Sequence, residues 1–161
     1  MSYTVYWNTS PRLSLVDAAP DLQQLIDLGP PLHSRTRPRV ALAGPTGSGL
    51  PVFDGCRLQF NGTGHDAHES FSFGSDDGFG FCKTDKKPYD AYVKAALMLV
   101  QLTLDDPDEL RMSCDGSQSD WVDGLILVAE IRGSLIPQDV VLSQEVMTPM
   151  ELQEMVHSFH V

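Results

Sequence analysis

Residues 79–104 read FGFCKTDKKPYDAYVKAALMLVQLTL, and this stretch decides the fold. Its first five residues, Phe79–Lys83, alternate in character and predict a strand. From Tyr89 to Leu104 apolar side chains recur at helical spacing around most of the surface, which predicts a central core helix. Asp90 and Lys94 lie four residues apart on its narrow polar edge, where they can form an ion pair. The sequence therefore predicts a strand that passes directly into a buried helix.

Shorter patterns flank this centre on both sides. Alternating side chains predict further strands at residues 3–7, 57–61, 69–73 and 110–114. Helical spacing predicts helices at residues 21–28, 121–132 and 148–159. The apolar run 125–128 could instead be a buried strand, because spacing alone does not decide between the two. Together the patterns predict an α+β fold, in which an antiparallel sheet of about four to six strands is covered mainly on one face by three or four helices.

The strands at residues 57–61, 69–73 and 79–83 follow one another across turn-forming sequences, so we expect them to form an antiparallel meander. The apolar face of this meander is expected to receive the central helix. The expected contacts join Val93, Leu97 and Val100 on the helix to Phe60, Phe71 and Phe81 on the strands.

The chain of 161 residues is long enough for one hydrophobic core, and we expect residues 1–161 to form a single α+β domain. Residues 29–55 are rich in Pro, Gly and Arg without clear periodicity, which predicts a long loop. Residues 133–161 form a C-terminal extension that contains the last predicted helix. That helix, within Met150–Val161, is a candidate contact of a homodimer, so one interpretation of the chain is a structural subunit of a homo-oligomer.

Composition disfavours several classes of partner. The net charge of -11 and the sequence pI near 4.6 oppose extended binding to nucleic acid or anionic lipid. No apolar run reaches the roughly 18 residues that a membrane helix needs, so no membrane partner is expected. The three cysteines lack the C-x-x-C spacing and are too few for a disulfide scaffold. Together with the lack of a recognisable secretory signal, they predict a cytoplasmic location.

Three of the chain's four lysines, Lys83, Lys86 and Lys87, lie within five residues immediately before the central helix. Positive charge is mildly unfavourable at a helix N-terminus, so this clustering indicates a functional constraint. Ammonium groups and unpaired amide N–H groups together can bind an anion. We therefore predict a small binding protein that recognises an anionic ligand or an acidic protein segment at this strand-to-helix junction. The alternative is that Thr84 and Asp85 cap the helix and leave the lysines solvated.

In this prediction Lys83, Lys87 and Asn61 contact the ligand. Asp90 and Asp115 orient lysines and loops, as does Glu69, and His68 belongs to the same candidate set.

A rival interpretation is an enzyme, and the sequence leaves this open. Lysines near Cys82 could lower the pKa of its thiol, which would make it the nucleophile of a hydrolase or transferase, with His68 as partner. Burial of Cys82 in a strand is the alternative. His68 and Glu69 could also act as acid–base groups or, with His65 and Asp66, as metal ligands, but the same residues suit a polar turn. No metal or other cofactor is expected.

Several short motifs follow one another along the chain. They are F-N-G at 60–62, H-E-S-F at 68–71, F-C-K-T-D-K-K-P-Y-D at 81–90, S-C-D-G at 113–116 and D-W at 120–121. In these motifs residues 57–132 resemble a family of small, acidic, uncharacterised bacterial proteins that carry F-N-G, H-E-x-F and F-C-K-T-x-[RK]-K-P-Y-D. The family has no assigned activity, so the resemblance implies which positions to test and not a reaction. The chain departs from it by its extension, Gly133–Val161, and by a Pro- and Arg-rich insertion near residue 35.

Overall fold

The computed structural model describes residues 3–30, 38–75 and 77–133. In chain order these form β1 (Thr4–Thr9), α1 (Ala19–Asp27), β2 (Val52–Phe53), β3 (Arg57–Phe60), β4 (Phe71–Gly74), β5 (Phe79–Lys83), α2 (Asp90–Gln101), β6 (Leu110–Cys114) and α3 (Val122–Arg132). The predicted α+β class is confirmed. The helix predicted at residues 148–159 and the C-terminal extension that carries it lie outside the described residues.

The strands form two antiparallel sheets of three strands each, with the orders β5-β1-β6 and β2-β3-β4. Phe60 lies opposite Phe71 in the second sheet, whereas Tyr6 of β1 lies between Phe81 and Ser113 in the first. The predicted meander is therefore wrong at its third strand, because β5 leaves β4 and pairs with β1. The six strands also divide into two sheets, where the sequence predicted one. Consecutive strands are neighbours in only about two-thirds of cases, and local patterns do not encode the exceptions.

The core is built around α2, every residue of which is buried. Its neighbours include α1 and α3 together with β1 and β6. The predicted core residues Val93, Leu97 and Val100 are fully buried, as are Phe60 and Phe71. One hydrophobic cluster includes side chains of both sheets and of all three helices in the described part of the chain.

The prediction that Phe81 packs under the central helix is wrong. Phe81 is 46% exposed and Phe79 is 63% exposed, and the ring of Phe79 stacks on Tyr6 with centroids 6.4 Å apart. The core side of β5 belongs to Gly80 and Cys82 instead. A Cβ at position 80 would lie 2.4 Å from Nε1 of Trp7, so the indole of the neighbouring strand occupies the space that a larger residue would need.

Two open questions from the sequence are settled by the described residues. The run 125–128 is helical, because it lies within α3. The predicted loop 29–55 contains the strand β2 and an isolated bridge between Ala43 and Asn61, while its residues 31–37 lie outside the described part. No helix within residues 3–30, 38–75 and 77–133 is long and apolar enough to cross a membrane.

Candidate functional site

The turn from β5 into α2 has an unusual backbone. Asp85 and Lys86 adopt left-handed conformations, with φ of 54° and 56°. Such a conformation costs roughly 1–2 kcal/mol for a residue with a Cβ, and a pair of them in succession is uncommon. The amide of Asp85 donates to the carbonyl of Tyr3 at 3.1 Å, and that of Lys87 donates to the carbonyl of Thr84 at 3.0 Å. Contacts with Tyr3, the residue before β1, and with the turn's own residues therefore fix the conformation of the turn.

Backbone amides at this junction, which were expected to be free for a ligand, form hydrogen bonds within the protein instead. The amide N–H of Asp90 also donates within the turn, to the carbonyl of Lys87 at 2.9 Å. The fully buried Thr84 donates its hydroxyl hydrogen bond to the carboxylate of Asp90. Three amides at the junction are thus used internally, so any ligand of this turn must rely mainly on side chains.

Lys94 is the most deeply buried charged group of this region, with its side chain only 2% exposed. Its Nζ lies 2.6 Å from Oδ2 of Asp90 and donates to the Tyr3 hydroxyl at 2.8 Å and the Asp120 carbonyl at 2.9 Å. An ammonium group has three N–H donors, so all of them are used. The ring of Trp121 lies 5.6 Å from the same nitrogen. Lys94 therefore ties α2 to the start of β1 and to the turn before α3.

A cleft of about 350 Å³ opens between the β5–α2 turn, the start of α2 and the start of α3. It is lined by Lys86, Lys87, Pro88, Asp90, Ala91, Lys94, Ser119, Asp120, Val122 and Asp123. Three ammonium groups thus meet three carboxylates. Gly124 lets the two helices approach here, because a Cβ at that position would lie only 3.0 Å from the Cβ of Lys94 and 2.9 Å from Cε of Met98.

The charges of the cleft differ in how far they are already paired. Lys86 lies 3.9 Å from Oδ2 of Asp120 and 4.9 Å from the ring centroid of Tyr3, and it is 61% exposed. The side chains of Lys87 and Asp123, by contrast, form no hydrogen bond or ion pair with any residue in the described ranges.

Of the predicted ligand-contacting and orienting residues, only Lys87 and Asp90 line the cleft, where they are joined by Lys86 of the lysine cluster. Lys83 lies on the exposed face of β5, with its Nζ 6.0 Å from the ring centroid of Phe81. Alternation along the strand explains this position, because residues 79, 81 and 83 share one face. The three clustered lysines therefore do not converge on one point.

The other predicted residues stabilise loops away from the cleft. Asn61 donates to the carbonyl of His68 at 2.9 Å and accepts from the amide of the same residue at 3.0 Å. Oε1 of Glu69 accepts from the amide of Lys83 at 3.2 Å. Asp115 accepts from the amide of Thr4 at 3.0 Å, which ties the end of β6 to β1. Asp90 alone among the predicted acidic residues pairs with a lysine of the cleft.

The sequence did not single out Lys94, Asp120 or Asp123 as site residues. Lys94 carried a usable signal, since it is a lone lysine in an otherwise apolar helical segment and such a residue needs buried partners. Asp120 forms a capping box with Ser117 in the turn before α3. Asp123 reaches the cleft only because α3 packs against α2, which no local pattern reveals.

Cys82 is fully buried, and its thiol donates to the carbonyl of Glu69 at 3.4 Å. Burial raises the pKa of this thiol to about 12, so the lysines nearby in sequence do not produce a thiolate. The ring Nδ1 of His68 lies 2.6 Å from the carbonyl oxygen of Lys83, and no hydrogen bond joins it to Cys82 in the described structure. Structural burial, the alternative interpretation of this cysteine, is what the geometry favours.

Metal binding finds no support in the same region. Within the described ranges, no group of three or more His, Cys, Asp and Glu side chains is placed to hold a metal ion. His65 and Asp66 lie in a single 3₁₀ turn, Gly64–Asp66, and His68 and Glu69 lie between that turn and β4.

Comparison with known proteins adds no relative to this description: no family model, no curated protein and no solved structure matches the chain.

Proposed function

We propose that the chain is a small binding protein whose cleft between the β5–α2 turn and α3 takes the anionic group of a ligand. The observation that supports this most directly is the placement of Lys86 and Lys87 on the wall of a cleft of about 350 Å³. In a chain with a net charge of -11, two accessible ammonium groups in one concavity are a local exception to the charge of the surface.

The state of each lysine decides which of them contacts the ligand. Lys94 is neutralised by Asp90 and has no N–H left to donate. Lys86 is exposed and only loosely paired with Asp120, and Lys87 has no side-chain partner among the described residues. Lys86 and Lys87 are therefore the anion contacts in this proposal, whereas Lys83 is left out because it lies on the exposed face of β5.

The backbone of the turn gives independent support. Left-handed residues with a Cβ are strained, and such strain tends to occur at ligand-binding and catalytic segments. Asp85 and Lys86 hold this conformation directly beside the cleft. A binding role would account for keeping lysine at position 86, where glycine would be less strained.

Calorimetric titration with a panel of anions tests the proposal. The probes are inorganic phosphate, citrate, glutarate and a short Glu-rich peptide, the last standing for an acidic protein segment. The double variant Lys86→Met/Lys87→Met should bind its best probe at least about tenfold more weakly, because each charge-assisted hydrogen bond contributes roughly 1.5–3 kcal/mol.

Lys83→Met is the control, since it removes one positive charge, half of the change in the double variant, from a residue outside the cleft. It should leave the affinity within about twofold of the unmodified chain. Equal losses in the control and in the double variant would place the site elsewhere, and failure of every probe to bind at millimolar concentration would contradict the proposal.

The homodimer formed through Met150–Val161 and the cytoplasmic location stay predictions from the sequence. So does the resemblance to the family of uncharacterised bacterial proteins.

A further inference from the structure

We infer that the ligand of the cleft is a small zwitterion, which carries an ammonium group as well as its anionic group. This rests on the proposed function, since it takes binding of an anion by Lys86 and Lys87 as given. The chemical class includes free amino acids and phosphorylated amines.

Some of the charged side chains in the cleft already have partners within the protein. Asp90 is paired with Lys94 at 2.6 Å and also accepts the Thr84 hydroxyl. Oδ2 of Asp120 accepts from the amide of Ser117 at 3.1 Å. These groups form a connected internal network, because Lys94 and the Tyr3 hydroxyl link Asp90 to Asp120, and both carboxylates are therefore already engaged within the protein.

Lys86 is only loosely paired with Asp120, and two further side chains, of opposite charge, have no partner among the described residues. Lys87 precedes α2, and Asp123 lies in the first turn of α3, so the two sit on different walls of the same cleft. They form no ion pair with each other, and neither has a side-chain partner among the described residues. An anion alone would satisfy Lys87 but would be repelled by Asp123. A ligand with both an anionic and an ammonium group would match both.

The size of the cleft favours a small molecule over a protein segment. Its volume of about 350 Å³ lies at the lower end of the range of roughly 300–1,000 Å³ that is usual for small-molecule pockets. Ser119 also lines the cleft, and its hydroxyl is hydrogen-bonded to that of Ser117 at 2.6 Å.

Asp123 has one alternative role, because a carboxylate in the first turn of a helix interacts favourably with the helix dipole. That role predicts a small loss of stability when the charge is removed, and it predicts no effect on the choice between ligands. The two roles can therefore be separated by measuring stability and selectivity on the same variant.

The test uses two matched pairs of probes on the full chain, glutarate with L-glutamate and propyl phosphate with O-phosphoethanolamine. The second member of each pair adds an ammonium group to a similar skeleton. In the unmodified chain at least one zwitterion should bind about tenfold more tightly than its partner, or more. Asp123→Asn should bring that ratio close to one, whereas Lys87→Met should weaken both members of the pair. Asp85→Asn, which removes a nearby carboxylate outside the cleft lining, should leave the ratio unchanged.

The outcomes separate this inference from the proposal beneath it. If both members of each pair bind equally and Lys86→Met/Lys87→Met still weakens their binding, the cleft binds anions and the inference of a zwitterionic ligand is wrong. If Asp123→Asn lowers stability and leaves the ratio of the two affinities unchanged, Asp123 only interacts with the dipole of α3. The inference of a zwitterionic ligand is then also wrong. Failure of all four probes to bind at millimolar concentration contradicts both proposals.

Discussion

Nζ of Lys94 lies 2.6 Å from Oδ2 of Asp90, one helical turn earlier on α2, and water reaches only 2% of the one side chain and 11% of the other. A buried ion pair does not by itself make a protein more stable than a well-packed apolar pair would. This pair does something more specific, because the same ammonium group also holds Tyr3 and the carbonyl of Asp120. It thereby fixes the relative positions of the segments that form the cleft.

Removal of the Lys94 ammonium should therefore be costly. Lys94→Met keeps most of the side-chain volume but leaves the Asp90 carboxylate buried without its counter-charge, and we expect the free energy of unfolding to fall by about 3–5 kcal/mol. Urea denaturation followed by tryptophan fluorescence measures this. The double variant Asp90→Asn/Lys94→Met should lose less than the sum of the single changes, since it leaves no lone charge. A loss below about 1 kcal/mol for Lys94→Met, no larger than an ordinary surface change, would contradict this account.

The left-handed turn makes an unusual prediction for Lys86. Both Lys86→Ala and Lys86→Gly remove the ammonium, but only glycine adopts a φ near 56° without a steric penalty. We expect the glycine variant to be more stable than the alanine variant by about 1 kcal/mol. The order should reverse at Lys83, where the backbone is an extended strand and glycine is unfavourable. The same order at both positions in urea denaturation would show that position 86 is not left-handed in solution.

The cysteines offer a direct test of the enzyme interpretation. Cys56 is exposed and Cys82 is buried, with a thiol pKa raised to about 12 by that burial. Iodoacetamide near neutral pH should therefore alkylate Cys56 readily and leave Cys82 unmodified until the chain is unfolded. Peptide mass spectrometry after timed quenching gives the two rates. Faster alkylation at Cys82 than at Cys56 in the folded chain would support a thiolate nucleophile after all, and Cys56→Ser controls for disulfide formation.

Stability should also decline in alkaline solution. Burial raises the pKa of Cys82 from 9.0 to about 12, and it also raises the pKa values of Tyr3, Tyr89 and Tyr92. A raised pKa in the folded state means that the unfolded chain releases the proton first. The stabilising effect of Cys82 is complete below about pH 9 and is lost as the pH rises toward 12. Urea midpoints measured across this range should fall, and Cys82→Ala should flatten part of the decline. A constant midpoint over the range would contradict the burial of these groups.

The elements themselves were readable from the sequence, because each depends on a local repeat. The helical spacing of Val93, Leu97 and Val100 required a buried α2, and the alternation of β5 required a strand. An alternation with a period of two does not show which of the two faces of the strand is buried. The buried face of β5 is set by its packing against β1. Because Trp7 of β1 packs against Gly80, Phe81 lies on the opposite, exposed face.

The sequence predicted only one wall of the candidate site, because the other wall depends on tertiary packing. The lysine cluster drew attention to the β5–α2 junction, and the Asp90–Lys94 pair followed from helical spacing and is confirmed. The opposite wall of the cleft, with Asp120 and Asp123, depends on the packing of α3 against α2. Contacts between segments some thirty residues apart are set by the tertiary fold, so neither carboxylate had a sequence signal that pointed to Lys87.

The two faces of the phenylalanine strands give the last prediction. Phe71 is fully buried, with its ring 5.3 Å from that of Trp7, whereas Phe81 is 46% exposed. Phe71→Ala should lower the free energy of unfolding by about 3–5 kcal/mol, because it removes a core ring and leaves a cavity. Phe81→Ala, the matched change, should cost about 1 kcal/mol or less, since it loses mainly strand propensity and the partial contact with Phe79. Equal losses of stability in urea denaturation would indicate that Phe81 lies in the core, as the meander predicted from the sequence requires.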